Sequence, residues 1–471
     1  MKRLHIEGPR FLDEDGKQIL MNGLCFICRE KEKGYLEPDL EQKLRHYSRH
    51  GFNLVRLGIF WDGVEPQPGA YDDTYLGRVK EAVEQAEKYG MYVFLDMHQD
   101  LYSVKFIDGA PIWATLDEGL PHPEECNIWY EAYVKSPAIM KAADNFWANA
   151  PASDGVGLQE HYDRMWEHIA KYFAECTNLI GLEPMNEPYM GSIAPQTFAD
   201  AVKEVQKGNP QFDLNKPETA GPEDIEIMQR VMNERFMKFD AEILMPFYGR
   251  MLKAIRKHTD AALVTGGNVY CSSFVTTGIG KLEEAQIYAP HGYDAVVDSD
   301  RYEQYDKSNV ARVFDGKRES QQKLNLPVIV GEWGNFPSGE YTDGLIRYMN
   351  GILEKYLWSS TYHQYVDGME KDSRYDALER GYPAAVAGKL ESYHYDADSG
   401  VLTAEWETIK GGSTILYLPH PVQENTIEAT GEIQTEICPI QDAEGCYVMI
   451  IPRNEGYLKV CIGGKNGAKA K

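Results

Sequence analysis

The stretch NLVRLGIF spans residues 53–60 and is apolar at almost every position. A strand with one solvated face alternates apolar and polar side chains, whereas a strand that is covered on both faces reads as a continuous apolar run. The stretch therefore predicts a strand of a parallel sheet that is buried on both faces.

Similar runs lie on either side of this stretch and alternate with amphipathic segments. The predicted strands are residues 19–24, 53–59, 92–96, 180–184, 262–265, 286–289, 328–331 and 359–365. The clearest helical patterns between them are residues 76–89, 162–176, 225–258 and 343–356. Eight strands that alternate with helices predict an α/β fold, a parallel (β/α)8 TIM barrel.

The pattern changes after about residue 380. Segments such as STILYLP and GCYVMIIP are short, alternate in polarity and are bounded by Gly, Pro or Asn, which is typical of antiparallel strands. We predict a catalytic barrel over residues 1–380, a C-terminal antiparallel β-sandwich over residues 381–465 and a disordered tail over residues 466–471. The sandwich could support the barrel, or it could bind carbohydrate or membrane.

Charge and composition exclude several functions. Lys and Arg number 48 and Asp and Glu number 73, so the net charge is 48 − 73 = −25, which argues against nucleic acid or an anionic membrane as a main partner. No run of about 18 apolar residues predicts a membrane span, and no secretory signal follows Met1. We expect a cytoplasmic protein with reduced thiols, or an exported one if a signal precedes this sequence. The sequence gives no indication of oligomeric state.

Two glutamates follow predicted strands, in MNEP (residues 185–188) and VGEWG (residues 330–334). Glycoside cleavage with retention of configuration needs one carboxyl group that donates a proton to the leaving oxygen and a second that attacks the anomeric carbon. Barrel strands bring residues that are distant in sequence to one mouth. We therefore predict Glu187 as the acid/base and Glu332 as the nucleophile.

The neighbouring residues suit these roles. Asn186 can hydrogen bond to a sugar 2-hydroxyl. We expect burial and the Glu332 charge to raise the pKa of Glu187, and we expect Arg56 to keep Glu332 ionised.

Other polar clusters follow predicted strands in DMHQD (residues 96–100), HGY (residues 291–293) and STYHQY (residues 360–365). Their side chains suit hydrogen bonding to sugar hydroxyls. A metal site at His98, Asp100 and His291 is the alternative, but no metal-ligand spacing such as HExxH occurs, so neither metal nor cofactor is predicted. Cys25 and Cys28 form a CxxC without a second pair, which favours structural thiols.

Two long connections, residues 99–157 and 188–222, follow the third and fourth predicted strands. Long loops at the carboxyl ends of barrel strands are commonly functional. The first contains the large side chains of Trp113, Ile128, Trp129, Tyr130, Phe146 and Trp147. They could pack within the insertion, or they could form one wall of an apolar substrate groove.

These motifs resemble glycoside hydrolase family 5 over about residues 15–365. FNLVRLGIFWDGVEPQPGAYD, FLDMHQDLYS, LEPMNEP and RGYPAAVAGKLESYHYDADSG are similar to its endoglycoceramidase and glucosylceramidase branch. The resemblance implies a retaining hydrolase that removes a glucose, galactose or longer glycan from a hydrophobic aglycone, typically ceramide. It also implies a sugar subsite lined by Arg56, His98, Asp100, Asn186, His291 and Tyr293. We add Trp333 and His363 as candidate substrate contacts.

The sequence departs from the family pattern at two positions. His363 stands where relatives usually place a tryptophan that stacks on the sugar, although Trp358 could take that role. The family's lysine after the first strand has Arg29, Lys31 or Lys33 as possible counterparts.

Several functions therefore remain open. The substrate is a glycolipid or a small plant-derived or sterol glycoside. Transfer to an acceptor other than water would use the same residues. An inactive carbohydrate- or lipid-binding barrel is the alternative from another class.

Overall fold

The computed structural model describes residues 1–123, 126, 128–213, 216, 219–294, 296–299 and 301–464. The predicted tail at residues 466–471 lies outside these ranges. Eight strands form the central sheet: β1 (Asn22–Phe26), β2 (Leu54–Ile59), β3 (Tyr92–Met97), β4 (Leu179–Glu183), β5 (Ala262–Thr265), β6 (Gln286–Tyr288), β7 (Ile329–Val330) and β8 (Ser359–Tyr362).

The central sheet is parallel and curves into a barrel. Its strand order is β7-β8-β1-β2-β3-β4-β5-β6, and a parallel bridge between Tyr288 and Val328 joins the two ends. Every residue of these strands is buried, as expected for strands covered by side chains inside and by helices outside. The predicted (β/α)8 barrel is confirmed.

Twelve α-helices are present in the described part of the chain. They are α1 (Leu40–Arg49), α2 (Trp61–Val64), α3 (Asp73–Lys88), α4 (Ala132–Lys135), α5 (Pro137–Trp147), α6 (Leu158–Tyr172), α7 (Ile193–Gln206), α8 (Pro222–Phe239), α9 (Met245–Ile255), α10 (Lys307–Leu324), α11 (Glu340–Tyr356) and α12 (Ser373–Leu378). The single helix predicted over residues 225–258 is in fact α8 and α9 joined by the π-helical turn Asp240–Leu244.

The C-terminal region is a β-sandwich. One face has the antiparallel strands Gly388–Asp396, Val401–Thr408, Gly456–Ile462 and Ile427–Ala429. The other has Tyr382–Val386, Thr414–Leu418, Cys446–Pro452 and Ile433–Pro439. The inward side chains of both sheets, including Trp406 and Tyr417, form one apolar core.

The N-terminus belongs to this second sheet and not to the barrel. The strands His5–Glu7, Arg10–Leu12 and Gln18–Ile19 extend the sheet from the edge of Tyr382–Val386. The predicted division placed residues 1–380 in the barrel. The structure differs there because Gln18–Ile19 pairs with residues more than 360 positions later and the two preceding strands pair in series with it.

Buried polar contacts join the sandwich to the barrel. Tyr382 Oη donates to the Gly51 carbonyl at 2.7 Å, and Tyr417 Oη donates to Glu379 Oε1 at 2.7 Å. These bonds support the view of the sandwich as a structural buttress.

No helix in the described ranges has the length and hydropathy of a membrane span.

Candidate active site

Arg56 lies at the centre of a buried charge cluster at the carboxyl ends of the barrel strands. Its guanidinium donates to Glu332 Oε1 at 2.5 Å, to Glu183 Oε2 at 2.9 Å and to Asn186 Oδ1 at 2.9 Å. Asp96 Oδ2 lies 3.1 Å from the same group. Because a guanidinium carries five N–H donors in a rigid fork, one arginine can orient all of these acceptors.

Glu332 follows β7 and is held in its ionised form. Burial alone would raise the pKa of its carboxyl, but the neighbouring histidines and the Arg56 guanidinium outweigh burial and hold that pKa well below the usual value. Tyr293 Oη donates to Glu332 Oε2 at 2.9 Å. Both carboxylate oxygens thus have a donor, and the group is ionised and fixed near neutral pH.

Glu187 follows β4 and faces Glu332. Oxygens of the two carboxyl groups, together with a ring nitrogen of His291, lie within 4.8 Å of one another. His291 Nδ1 is 2.9 Å from Glu187 Oε1 and 3.5 Å from Glu332 Oε2. Burial would lower the pKa of His291, but the Glu332 charge and the hydrogen bond to Glu187 raise it.

The backbone of Glu187 is strained and is held by a neighbouring loop. Its φ of 39° is in the left-handed region, which is unfavourable for a residue with a side chain. The Gln99 amide nitrogen donates to the carbonyls of Asn186 and Glu187 at 2.8 and 3.0 Å. The first residues of the 99–157 insertion therefore fix the backbone of Glu187.

A second charge cluster lies beside β3. The Arg29 guanidinium donates to Asp100 Oδ2 at 2.7 Å and to Asp108 Oδ2 at 2.9 Å. His98 Nδ1 is 2.7 Å from Asp96 Oδ2. Burial opposes the charging of His98, but Asp96 and Asp100 raise its pKa to about 10, so the two carboxylates favour the charged ring.

His363 follows β8 and closes the cluster around Glu332. Its Nδ1 is buried, has no hydrogen-bond partner among the described residues and lies 3.6 Å from Glu332 Oε1. Burial lowers the pKa of His363 to about 4, so the ring is neutral at pH 7. The peptide bond that follows it is cis.

Comparison with known proteins agrees with this geometry. The model of the cellulase family, glycosyl hydrolase family 5, matches residues 12–364, and the model of the family 5 C-terminal domain matches residues 380–456. The chain belongs to glycosyl hydrolase family 5. The predicted resemblance is confirmed, and with it the prediction that the protein is a glycoside hydrolase.

The proteins that this chain is similar to include endoglycoceramidases, glucosylceramidases and an ergosteryl-beta-glucosidase. An endoglycoceramidase from Cyanea nozakii is 29% identical over 44% of this chain and 46% of the relative, so less than half of that relative's length is matched. An endoglycoceramidase from Hydra vulgaris is 24% identical over 80% of this chain and 71% of the relative. The structure of endo-glycoceramidase II from Rhodococcus sp. with ganglioside GM3 has a TM-score of 0.76 at 23% identity and covers 98% of this chain and 100% of that chain.

The structure brings most of the predicted family 5 site residues together, and Trp333 is the exception. Arg56, His98, Asp100, Asn186, His291, Tyr293, His363 and both glutamates surround one mouth. The Trp333 ring packs edge-on against Tyr362, with ring centroids 5.2 Å apart, within the apolar core. Because adjacent strand residues point to opposite sides, Trp333 lies away from the face that carries Glu332, and we correct its predicted role.

The alternatives left open by the sequence are also decided. Trp358 precedes β8 and donates to Gln321 Oε1 at 2.8 Å on α10, so it lies at the opposite end of the barrel from the mouth and cannot replace a stacking tryptophan. Lys31 contacts Asp62 and Lys33 contacts Glu30. Arg29 is therefore the basic residue of the first loop that enters the family 5 site.

The large side chains of the 99–157 insertion form two groups, one that packs within the protein and one at the mouth of the barrel. Phe146 is buried, and Trp147 packs on Phe247 at 5.5 Å and donates to the Tyr189 carbonyl at 2.7 Å, so these side chains pack internally. Trp129 instead donates from Nε1 to Asp298 Oδ2 at 2.8 Å. Asp298 follows β6, which is three strands from β3 in a barrel of eight, so this contact spans the mouth.

Two groups of side chains have the composition of metal sites. Ligand atoms of His98, Asp100 and Asp108 lie within 4.8 Å of one another, as do those of Glu187, His291 and Glu332. The Arg29 guanidinium already bonds to both aspartates of the first group.

The eight cysteines are free, and Cys25 contacts the Gly331 carbonyl, consistent with structural thiols.

Sequence reasoning missed three polar residues of the site. Glu183 lies on β4 beneath Arg56, and burial together with the Asp96 charge raises its pKa to about 7. Asp108 holds Arg29, and Ser272 donates to Glu187. An acidic residue inside the apolar run LIGLEP was a usable signal for Glu183, because a buried strand carries a charge only when it has partners. Ser272 lies in a loop without a motif.

Proposed function

We propose that the protein is a retaining β-glycosidase that releases sugar from a glycolipid with a ceramide-type aglycone. The observation that carries the chemistry is the approach of the Glu187 and Glu332 carboxylate oxygens within 4.8 Å. Retaining glycosidases place their carboxyl groups about 5–5.5 Å apart, whereas inverting enzymes need about 6.5–9.5 Å to admit a water molecule.

The geometry supports a double displacement. In the first step Glu332 attacks the anomeric carbon while Glu187 protonates the glycosidic oxygen, so the C–O bond breaks and the aglycone leaves as an alcohol. In the second step Glu187 removes a proton from water, the water oxygen bonds to the anomeric carbon, and Glu332 is released. Arg56 and Tyr293 orient Glu332 throughout.

The sugar would occupy the space bordered by the two charge clusters. The His98 ring and the Arg29–Asp100 pair offer donors and acceptors that suit hydroxyl groups. Asn186, which is fixed by Arg56, faces the position of a 2-hydroxyl. His363 stands where relatives usually have a tryptophan, so the sugar would meet a smaller ring with a hydrogen-bonding nitrogen instead of a large stacking surface.

The ceramide-type aglycone is supported by two observations. The relatives from Cyanea nozakii and Hydra vulgaris are endoglycoceramidases. Large apolar side chains are exposed on loops that follow barrel strands, among them Ile112, Phe274 and Tyr130. On the carboxyl face of a barrel such side chains offer apolar contacts for a lipid aglycone.

A small or sterol glycoside is the second candidate. The contact between Trp129 and Asp298 spans the mouth and limits the space above the sugar. An entrance that this contact narrows favours a compact aglycone over a lipid with two chains.

A substrate panel that varies sugar and aglycone independently tests the proposal. Glucosylceramide, lactosylceramide and GM3 in detergent would be compared with sterol and aryl β-glucosides, and free sugar and ceramide would be measured by mass spectrometry. We expect release of ceramide from at least one glycosylceramide, and an alcohol acceptor reports any transglycosylation. Cleavage confined to sterol or aryl glycosides favours the second candidate, and no cleavage of any glycoside contradicts an enzymatic role.

A further inference from the structure

The loop after β5 reaches the carboxyl group of Glu187. Ser272 Oγ donates to Glu187 Oε1, the oxygen that also lies 2.9 Å from His291 Nδ1. No residue in the described ranges hydrogen bonds to the other oxygen, Oε2. Two donors on Oε1 therefore leave Oε2 as the oxygen that carries the transferable proton toward the glycosidic bond.

The backbone around Ser272 is fixed at three consecutive carbonyls. Lys317 Nζ donates to the carbonyl of Cys271 at 2.7 Å and to that of Ser273 at 3.4 Å. The Ser272 carbonyl between them accepts from the backbone N–H of Tyr293 at 2.9 Å. Peptide groups fixed on both sides of Ser272 hold its backbone at the position from which its hydroxyl reaches Glu187.

Lys317 is unusual because it is a buried lysine. It lies on α10, only 4% of its surface is exposed, and no carboxylate oxygen of the described chain lies within 4.0 Å of Nζ. Burial lowers its pKa to about 8. A buried ammonium without an ion-pair partner costs stability, so its two hydrogen bonds to the 271–273 segment are its distinguishing contribution.

The rest of this loop is anchored independently of Lys317. Asp240 Oδ1 accepts from the Asn268 backbone N–H at 3.1 Å and from its amide at 2.8 Å. Asp240 Oδ2 accepts from the Thr277 hydroxyl and the Gly278 N–H, both at 2.9 Å. Loss of Lys317 should therefore loosen the middle of the loop and not the whole loop.

We infer that Ser272 is a positioning residue for the acid/base Glu187 and that Lys317 holds Ser272 in place through the carbonyls of Cys271 and Ser273. The inference rests on the proposed function. In the first step the proton leaves Oε2 for the glycosidic oxygen, and the new charge on the carboxylate is shared with Oε1, where Ser272 and His291 already donate. In the second step Oε2 accepts the proton from water.

Leaving-group dependence separates positioning of the acid from general damage. A 2,4-dinitrophenyl glycoside departs without protonation, whereas an alkyl glycoside or a glycosylceramide needs it. We expect Ser272→Ala to lower kcat/KM about 10- to 100-fold for the poor leaving group and by less than about threefold for the dinitrophenyl glycoside. Ser272→Thr keeps a hydroxyl and should recover most of the loss. Ser320→Ala is the matched control, because that buried hydroxyl donates to the Gly316 carbonyl on α10 and hydrogen bonds to Tyr288, and has no hydrogen bond to Glu187 or to the 271–273 segment.

The pH profile provides a second reading. Hydrogen bonds donated to a carboxylate favour its charged form, so their removal raises the pKa of the acid. The alkaline limb of kcat/KM should move to higher pH in Ser272→Ala. The titratable groups that face Glu187 are His291, Glu332, Tyr293, Tyr133 and Lys317.

Lys317→Met should repeat both effects in weaker form, and Lys317→Arg should restore part of the loss because arginine keeps a cation and N–H donors. Unchanged kinetics in Ser272→Ala, or an equal loss for both leaving groups with no shift of the alkaline limb, would overturn the inference. A wild-type protein inactive on every glycoside would instead overturn the proposed function.

Discussion

Replacement of Glu332 by glutamine is expected to lower kcat by at least about 10⁴-fold while the protein stays folded. An amide cannot form the covalent bond to the anomeric carbon, yet it keeps the shape of the side chain and an oxygen for Arg56. The measurement is steady-state hydrolysis of a dinitrophenyl β-glycoside, together with a thermal unfolding curve. A dinitrophenyl group leaves without an acid, so this substrate isolates the role of the nucleophile.

Glu332→Gln should stay folded but lose some stability at pH 7, because the fold favours the ionised form of this carboxyl group and the amide is neutral. Arg56 keeps Asp96 and Glu183 as partners, so no buried cation is left unpaired. Glu354→Gln is a matched control, because Glu354 is also buried but contacts His394 in the sandwich, and its kcat should stay close to that of the wild type. Appreciable turnover by Glu332→Gln would refute the assignment of the nucleophile.

Replacement of Glu187 by alanine should lower kcat/KM by about 10²- to 10⁴-fold for glycosides with poor leaving groups. The first step on a dinitrophenyl glycoside should change little, because that leaving group needs no proton. Hydrolysis of the glycosyl-enzyme should slow, because no base activates water. Burst kinetics with this substrate measure the two steps separately.

Azide offers a direct check on the same variant. A small anion can enter the space left by the carboxyl group and attack the glycosyl-enzyme without a base, so azide should restore turnover and give a β-glycosyl azide. Equal losses for good and poor leaving groups, with no response to azide, would show that Glu187 is not the acid/base.

The barrel and the paired glutamates could be predicted because the end of a buried strand can be recognised from the local sequence alone. A buried parallel strand is a short apolar run, and the first polar residue after it lies at the mouth. This reasoning placed Arg56 on one strand, and Glu187 and Glu332 after the ends of two others, without any knowledge of pairing. All eight strands were found within a few residues of their observed bounds.

The parts that were not predicted depend on contacts between distant segments. Ser272 contacts Glu187 because the loop after β5 folds back on that residue. Lys317 contacts the same loop because α10 packs against it. Neither contact can be predicted from the local sequence. Of the three short strands between His5 and Ile19, Gln18–Ile19 pairs with Ala385 and Val386 of the C-terminal domain, and the other two join the sheet through it. Trp333 was misplaced because the motif was read as a unit, although successive strand residues face opposite sides.

Covalent labelling tests the account most directly. A dinitrophenyl 2-deoxy-2-fluoro-β-glycoside should form its intermediate rapidly and lose it slowly, because the fluorine destabilises the charge that develops in both steps. We expect one sugar per protein, located on Glu332 by peptide mass spectrometry, with the activity recovered as the label is released. A label on Glu187 or any other residue, or release of the inverted sugar without a labelled protein, would contradict the account.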